Sequence, residues 1–323
     1  MTVEAPAVHE DPRWPRASAW LARDGGAREA IGLLAVLGAP ACRGSITPGR
    51  CDLAPDAIRK ALERFSPYDI RFDCDLEQMN VRDFGTLRGV AGQAPCDAKD
   101  AVAAAVANAL RESDALAILG GDNSITYPGV LGMSQAIDGG TPGRCGVLTL
   151  DAHFDLRDLD GGLSNGNPIR ALLADGVPGA NIAQIGILPF ANSREYAAVA
   201  REAGITVITA DEVHAQGIQT SVRTALDLLS ARADAIYVDL DLDVLDRSFA
   251  PATPGSRPGG LCPWQISWAA RECGMEKKVR VMDLVEIDPT KDIAEATVFS
   301  AATCFLSFAA GVAQRLRTAK IEE

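Results

Sequence analysis

The chain has 323 residues, of which 47% are hydrophobic and 23% are charged, and its formal net charge at pH 7 is -12. This composition is ordinary for a soluble globular protein with a large core. Because the charge is acidic and no block of Lys or Arg stands out, nucleic acid and anionic membranes are not expected partners, whereas a small cationic substrate is compatible with the charge.

The eight cysteines are spread along the chain without a Cys-x-x-Cys pair. We therefore expect reduced, mostly buried thiols rather than a disulfide scaffold or a zinc ribbon. Residues 1–16 contain no apolar signal core, and we expect no apolar run of membrane-spanning length. These observations predict a cytoplasmic protein.

Residues 1–28 are predicted to form a polar N-terminal arm, which Trp14, Trp20 and Leu21 could pin to a neighbouring surface. Residues 29–323 show no linker or repeat and are predicted to form a single domain. Short apolar runs predict strands at 31–37, 116–119, 146–150, 182–187, 205–208, 235–240 and 279–285. Helical spacing predicts helices at 56–65, 97–112, from about 127, and at 168–175, 193–203, 220–231, 263–273 and 293–316. Residues 66–97 are expected to be irregular, with at most a short strand at 68–72.

This alternation of strands and helices predicts a three-layer α/β/α architecture with a mostly parallel sheet. In such folds the binding site lies beyond the carboxyl ends of the strands. The residues that follow each strand are therefore the candidate site residues.

The strand at 146–150 is followed by Asp151, His153 and Asp155. Side chains two residues apart on a strand point to the same face, so three groups of the kind that bind metals converge there. Burying unpaired carboxylates without a counter-charge is very costly, and a divalent cation is the simplest remedy. Taken alone, Asp-Ala-His would favour an acidic loop with a solvated histidine, and the rest of the chain decides against that interpretation.

A second acidic run, with Asp239, Asp241 and Asp243 in alternation, ends the strand at 235–240. If the two strand ends are neighbours, they assemble up to five carboxylates and one imidazole. Such a ligand set suits Mn²⁺, or alternatively Ni²⁺, Co²⁺ or Zn²⁺, better than Mg²⁺. The two other histidines, His9 and His214, are expected to be solvated.

Three motifs resemble the signatures of the ureohydrolase superfamily, which holds arginase, agmatinase, guanidinobutyrase and formimidoylglutamase. They are Gly120-Gly121-Asp122-x-Ser124, Asp151-x-His153-x-Asp155-x-x-Asp158 and Asp241-x-Asp243-x-x-Asp246. The resemblance extends over most of the chain, including residues 283–289. It implies an arginase-like fold, in agreement with the parallel α/β/α pattern.

The resemblance also implies a dimanganese site that activates a bridging water. The resulting hydroxide would attack an amidine or guanidine carbon and release urea, or formamide from a formimino group. Asp151 and Asp241 would bridge the two ions, and His153 and Asp243 would complete the shell of one. Asp155 would bind the other ion and accept the proton of the hydroxide.

On the substrate side, the resemblance implies that Glu286 pairs with the cationic NH₂ groups of the substrate. Without the resemblance, Glu286 would be interpreted as a surface glutamate at a strand end. Asn165 and Asn167, in the loop at 159–170, are predicted substrate contacts. Family members usually form trimers or hexamers, so a homotrimer or homohexamer is expected.

The chain departs from the family pattern at two ligand positions. Asn123 stands where the first metal-ligating histidine usually stands, and Asn165 stands where arginases and agmatinases carry a loop histidine. Asn165 argues against an ordinary arginase and favours a formimidoylglutamase-like member. Asn123 is a doubtful ligand, because an amide oxygen binds a divalent ion less strongly than imidazole does. The consequence is a weakened or different second metal, a single metal, or loss of catalysis. Asp239 is also unusual for the family and has no assigned role.

Two functions follow. The first is a metal-dependent hydrolase of C–N bonds in a formimino, guanidino or biguanide compound. The second is a catalytically silent subunit that supports an active paralogue in a hetero-oligomer, which Asn123 would favour. Because five other ligands and Glu286 are retained, activity is the preferred interpretation.

Overall fold

The computed structural model describes residues 11–23, 30–137 and 139–322. Its strands are β1 (Leu33–Ala39), β2 (Tyr68–Asp69), β3 (Cys74–Asp75), β4 (Asn80–Thr86), β5 (Ala115–Gly120), β6 (Cys145–Leu150), β7 (Ile182–Ile187), β8 (Thr206–Thr209), β9 (Ala235–Asp241) and β10 (Val279–Val285). Eight of them form one parallel sheet in the order β4-β1-β5-β10-β9-β6-β7-β8. The short strands β2 and β3 form a separate antiparallel hairpin.

Helices cover both faces of this sheet. They are α1 (Ala17–Leu21), α2 (Ala54–Ala61), α3 (Pro95–Arg111), α4 (Thr126–Ile137), α5 (Pro168–Ala174), α6 (Arg194–Ala203), α7 (Ala210–Gln216), α8 (Ile218–Ser230), α9 (Pro263–Met275) and α10 (Ala296–Glu322). One core joins the sheet to α2, α8, α9 and α10, and the other joins it to α3, α4 and α5. Along β1, Leu34 and Val36 belong to the first core, whereas Ala35 and Leu37 belong to the second. This alternation is expected of a strand buried on both faces.

The predicted three-layer α/β/α architecture is therefore confirmed, with element ends that differ by a few residues. The prediction that residues 66–97 are irregular was wrong at 80–86, where β4 forms an edge strand. Within β4 only Val81 is fully buried, so the run lacks the apolar signal that marks the central strands. Helix α7 was also missed, although Thr209 and Glu212 form a capping box at its start.

Helix α10 is long and apolar enough to cross a membrane by length and composition alone. The expectation that no apolar run approaches this length was therefore wrong. Of its apolar window, 78% is buried inside the protein. Phe305 and Phe308 of α10 belong to the core, and the helix packs against α9 and α2. The composition of α10 is thus accounted for by its place in the core.

Part of the predicted N-terminal arm packs against the domain. Trp20 is buried, its indole N–H donates to the carbonyl of Met79 at 3.1 Å, and its ring lies 6.1 Å from that of Phe305. Trp14 is 44% exposed. Trp20 and Leu21 therefore pin residues 17–21 to this chain's own core. Residues 1–10 and 24–28 of the predicted arm, including His9, lie outside the described residues, and the boundary at residue 28 stays a prediction.

The register of the sheet brings four strand ends together. Strands β5, β10, β9 and β6 are consecutive neighbours in the centre of the sheet. Because all four run parallel, their carboxyl ends open on the same edge. Val285 pairs with Asp241, and Leu150 pairs with Leu240, so the loops that follow these strands start at nearly the same level.

Candidate metal and catalytic site

Three of the predicted ligands form a compact cluster at this edge of the sheet. One ligand atom each from Asp151, His153 and Asp243 lies within 4.8 Å of the other two. The Nδ1 atom of His153 lies 2.9 Å from Oδ2 of Asp243 and 3.5 Å from Oδ1 of Asp151. Oδ2 of Asp151 is buried and has no hydrogen-bond partner. The β6 and β9 strand ends are therefore neighbours, as their acidic patterns suggested.

Gly255, in the loop after β9, lies directly against this cluster. A Cβ atom at position 255 would lie 1.9 Å from Oδ2 of Asp243 and 3.0 Å from Cε1 of His153. Both distances are shorter than a van der Waals contact, so only glycine lets the loop pass this close. The approach of this loop helps to enclose the imidazole–carboxylate pair.

Asp241 and Asp155 complete the acidic lining. Oδ1 of Asp241 accepts the backbone N–H of Asp243 at 2.7 Å, which fixes the turn that presents Asp243. Asp155 is buried, and its Oδ2 accepts a hydrogen bond of 2.7 Å from Nδ2 of Asn123. All five predicted carboxylate and imidazole ligands therefore lie at the same end of the sheet.

The side chain of Asn123 is fully engaged in hydrogen bonds. Its Nδ2 donates to Asp155, and its Oδ1 accepts from the hydroxyl of Thr126 at 2.6 Å. That hydroxyl also lies 3.0 Å from Oδ2 of Asp283, within a buried group that includes the Tyr237 hydroxyl. In this arrangement Asn123 orients a carboxylate and presents its donor, rather than an oxygen ligand, towards Asp155.

Glu286 lies at the end of β10 and is held by two donors. Its Oε1 accepts the backbone N–H of Asn123 at 2.8 Å and Nδ2 of Asn165 at 3.0 Å. Asn165 also accepts the N–H of Ile46 at 3.0 Å, so it joins two loops over the site. Glu286 is therefore a buried carboxylate aimed into the site and not a surface residue.

Two of these carboxylate residues adopt a left-handed backbone. The φ angle is 51° at Asp155 and 64° at Glu286. For residues other than glycine the left-handed conformation costs roughly 1–3 kcal/mol, and residues that adopt it are often found at functional sites. Asn123 contacts both of them, through its side chain and its backbone respectively.

Asn167 was predicted to contact the substrate, but its side chain is directed into its own loop. It is buried, its Nδ2 donates to the carbonyls of Asp158 and Gly162, and its Oδ1 accepts the N–H of Ser164. These bonds stabilise the conformation of the loop at 158–164 from the side that faces away from the cleft. The other histidine with described structure, His214, is exposed and lies 3.2 Å from the carbonyl of Gly259, away from the cluster.

A cleft of about 700 Å³ opens over the cluster. Its floor includes His153, Asp155, Asp241, Asp243 and Glu286, and Asn165 contributes to its wall. Arg157, Asp158, Glu195 and Arg257 line its outer part and are exposed. The cleft is thus acidic at its floor and mixed in charge at its rim.

Burial disfavours the ionisation of the carboxyl groups at the site. Burial, reinforced by Asp243, raises the pKa of Asp151 to about 7. Burial also raises the pKa values of Asp155 and Asp241 well above their usual range, and that of Glu286 to about 8. Asp243 raises the pKa of His153 to about 12. Burial opposes ionisation of Asp243 as well, but the His153 charge brings its pKa below the ordinary value.

The donor set therefore fits a divalent cation. It offers four carboxylates and one imidazole, an oxygen-rich set with one nitrogen that suits Mn²⁺. The unpartnered Oδ2 of Asp151 and the raised carboxyl pKa values are what a site lacking its counter-charge should display.

Sequence reasoning missed several residues of the site. Thr126 donates to the Asn123 side chain, and Arg157, Asn192 and Arg257 line the cleft. Arg157 could have been suspected, because it follows Asp155 by two residues. The others act through loop packing, for which the sequence offers no periodic signal. Asp239 is fully buried beside Asp283 in the sheet register, and both its carboxylate oxygens lack a hydrogen-bond partner.

Comparisons with known proteins agree with this fold and site. The model of the arginase family matches residues 33–311. The formimidoylglutamase of Halalkalibacterium halodurans is 36% identical over 283 residues, covering 85% of this chain and 86% of that protein. An N(1)-aminopropylagmatine ureohydrolase of Thermus thermophilus is 30% identical over 237 residues, covering 73% of this chain and 75% of the relative. The crystal structure of Bacillus subtilis formimidoylglutamase superposes with a TM-score of 0.84 at 28% identity and covers 96% of both chains.

Fold, site and relatives together define an enzyme class. The protein is a hydrolase that acts on carbon–nitrogen bonds in linear amidines, of the guanidino or formimino type. The chain belongs to the arginase family.

Proposed function

We propose that the chain is a manganese-dependent formimidoylglutamase, which hydrolyses the formimino group of formimidoylglutamate to glutamate and formamide. The observation that carries the proposal is the shared cleft, whose lining includes Glu286 together with His153 and Asp243 of the Asp151–His153–Asp243 cluster. The formimidoylglutamase name of the relative with 36% identity supports the choice of substrate.

Asp151, His153, Asp155, Asp241 and Asp243 would hold the metal. Mn²⁺ is the ion that the family resemblance implies, and Ni²⁺ is the alternative that the donor set also allows. When bound, the ion would lower the pKa of a water and so supply the nucleophile near neutral pH. Because both polar atoms of the Asn123 amide are engaged with Asp155 and Thr126, we propose that Asn123 is not a ligand.

Glu286 would bind the amidinium end of the substrate. Its carboxylate is held by the Asn123 N–H and by Asn165, which leaves its orientation fixed towards the cleft. A substrate cation beside Glu286 would lower the carboxyl pKa again, because an opposite charge favours the ionised form. Asp155 would accept the proton of the attacking water. The amine of glutamate is then the leaving group.

The rim residues favour a substrate that also carries carboxylates. Arg157 and Arg257 line the outer part of the cleft, where the glutamate carboxylates would lie. A long polyamine guanidine would instead place a second cation near these arginines. Asp158 and Glu195 lie on the same rim and would oppose a substrate carboxylate. The contribution of each arginine is therefore measured by substituting it individually.

The test is a release assay for formamide, urea and ammonia with Mn²⁺ and Ni²⁺ separately. Formimidoylglutamate, agmatine, N(1)-aminopropylagmatine, guanidinobutyrate and a biguanide are compared. We expect formimidoylglutamate to be the best substrate with Mn²⁺. Arg157→Ala or Arg257→Ala should raise its KM about 10- to 100-fold, since a hydrogen bond to a charged group contributes about 1.5–3 kcal/mol. An N-formimino alkylamine without carboxylates is the control substrate and should be unaffected. Preference for agmatine or a biguanide would overturn the substrate assignment.

The silent-subunit hypothesis gains no support from the comparisons, because the relatives described above carry enzyme names. A homotrimer or homohexamer and a cytoplasmic location stay expectations from the family resemblance and from the sequence. Analytical ultracentrifugation of the purified chain measures the first of these directly.

A further inference from the structure

The backbone on either side of His153 is held by the side chain of Asn192. Oδ1 of Asn192 accepts the N–H of Phe154 at 2.9 Å, and Nδ2 donates to the carbonyl of Ala152 at 2.9 Å. The same carbonyl accepts the N–H of Leu188 at 3.1 Å. Asn192 lies in the loop between β7 and α6, so this loop is tied to the segment that carries the metal-type ligands.

These bonds lie just beyond the end of the regular pairing between β6 and β7. Regular pairing of β6 with β7 ends where Leu150 meets Ile185, with one more bond from Asp151 N–H to the Ile185 carbonyl. Residues 152 and 153, just after β6, form a bend, with the Ala152 N–H donating to Asp243 and the Ala152 carbonyl facing the loop after β7. A side-chain amide offers the same donor and acceptor as a peptide group. Asn192 therefore supplies one donor and one acceptor, from the loop after β7, to the backbone of this bend, next to the bond that Leu188 makes with the same carbonyl.

We propose that Asn192 is a positioning residue for the metal centre, acting through His153. By fixing residues 152–154 it holds the imidazole where Nδ1 lies 2.9 Å from Asp243. Asn192 also lines the cleft together with Ala191 and Ser193, so it links the substrate-facing wall to the ligand segment. The inference rests on the proposed function, because it concerns the metal that this function requires.

The test compares Asn192→Ala and Asn192→Ser with Asn181→Ala. Asn181 is a matched control, since its Nδ2 also donates to two backbone carbonyls, those of Gly143 and Cys145, but at the opposite end of β6. Two quantities are measured: the melting temperature of the metal-free protein, and the Kd of the folded, metal-free protein for Mn²⁺ by calorimetric titration. Asn192→Ala should raise the Mn²⁺ Kd about 10- to 100-fold, the usual effect of losing a residue that orients a ligand.

Asn192→Ser can replace at most one of the two bonds and should show a smaller increase. The metal-free melting temperature of Asn192→Ala should change no more than that of Asn181→Ala, whose Mn²⁺ Kd should equal the wild-type value. An unchanged Kd in folded Asn192→Ala, or an equal increase in Asn181→Ala, would overturn the inference while leaving the proposed function intact. A wild-type chain that binds no Mn²⁺ would overturn the proposed function, and the inference with it.

Discussion

The amide of Asn123 donates a 2.7 Å hydrogen bond to the buried carboxylate of Asp155. Thr126 fixes the direction of this amide by donating to its oxygen. The same residue also holds Glu286 through its backbone N–H. One asparagine therefore orients the two carboxylates that have left-handed backbone conformations and that we assign to proton transfer and substrate binding.

Replacing Asn123 with histidine should strengthen metal binding. The imidazole would add a second nitrogen donor beside Asp155, whose carboxylate would no longer be shared with the Asn123 amide. We expect Asn123→His to bind more Mn²⁺ per chain than wild type at equal free Mn²⁺, measured by plasma emission spectrometry after equilibrium dialysis. Thr126→Val is the companion variant, because it frees the orientation of Asn123 without adding a ligand, and it should not increase the metal content. Equal metal content in Asn123→His and wild type would show that position 123 does not limit the metal.

Glu286→Gln should separate substrate binding from metal binding. The glutamine oxygen can still accept from Asn123 and Asn165, so the shape of the site is kept and the charge is lost. We expect kcat/KM for formimidoylglutamate to fall about 10- to 100-fold, consistent with about 1.5–3 kcal/mol for a charged hydrogen bond. The Mn²⁺ Kd should stay within a few-fold of wild type.

Glu195→Gln is the matched control for this change. Glu195 lines the same cleft at its exposed rim, and removing its charge should alter kcat/KM no more than a few-fold. If both variants lose activity to the same extent, Glu286 has no special role in recognising the amidinium group.

Gly255→Ala should weaken the metal site through a steric effect. The new methyl group would lie 1.9 Å from Oδ2 of Asp243, so either the loop or the ligand must move. We expect the Mn²⁺ Kd to rise about 5- to 150-fold, which corresponds to about 1–3 kcal/mol of strain. Gly161→Ala is the control, since nothing lies within 4 Å of a Cβ atom at that position. Retention of wild-type affinity in Gly255→Ala would mean that the loop at 251–260 yields without disturbing Asp243.

The metal-free protein should lose stability as the pH rises from about 4 to about 8. The pKa values of Asp151 and Glu286 are raised to about 7 and about 8, mainly by burial. A carboxyl group with a higher pKa in the folded state binds its proton more tightly there than in the unfolded chain. The free energy of unfolding therefore falls as these protons are lost. The raised pKa of His153 acts in the same direction above about pH 6.5, and the lowered pKa of Asp243 acts only below about pH 4.

Thermal melts in EDTA between pH 5 and pH 8 check this prediction. We expect the melting temperature to fall across this range, and added Mn²⁺ to reverse the fall at pH 8, because the cation replaces the lost protons as counter-charge. Replacing Asp151 with Asn should flatten the metal-free profile. A metal-free melting temperature that rises across the range would contradict the assignment of these carboxyls as destabilising when ionised.

The sequence was sufficient for the layered fold and for the ligand-bearing strand ends. Strand β6 and the first four residues of β9 are largely apolar because both faces of the sheet are buried, and the aspartates at and after their ends stand out against those runs. Strand β4 escaped prediction because it lies at the sheet edge and buries little besides Val81. The pattern of apolar residues along a sequence indicates which segments are buried, and an edge strand buries few of its residues.

What the sequence could not provide was the direction of individual side chains. Asn123 was recognised as a departure, but the sequence did not show that its amide bonds Asp155, 32 residues later, and Thr126 at the start of α4. Asn167 shares the loop of Asn165, yet it points to the back of that loop instead of to the cleft. Asn192 contacts a segment about 40 residues earlier in the chain, through a loop whose path no periodic pattern fixes.

The most direct test of the account is a paired measurement on the purified wild-type chain and on His153→Ala. Each protein is stripped of metal, titrated with Mn²⁺, and assayed in the same samples for bound metal and for glutamate and formamide released from formimidoylglutamate. The account predicts that wild type gains bound Mn²⁺ and activity together, and that His153→Ala, which lacks the imidazole of the cluster, gains neither at the same free Mn²⁺ concentration. Full metal occupancy and turnover in His153→Ala would contradict it.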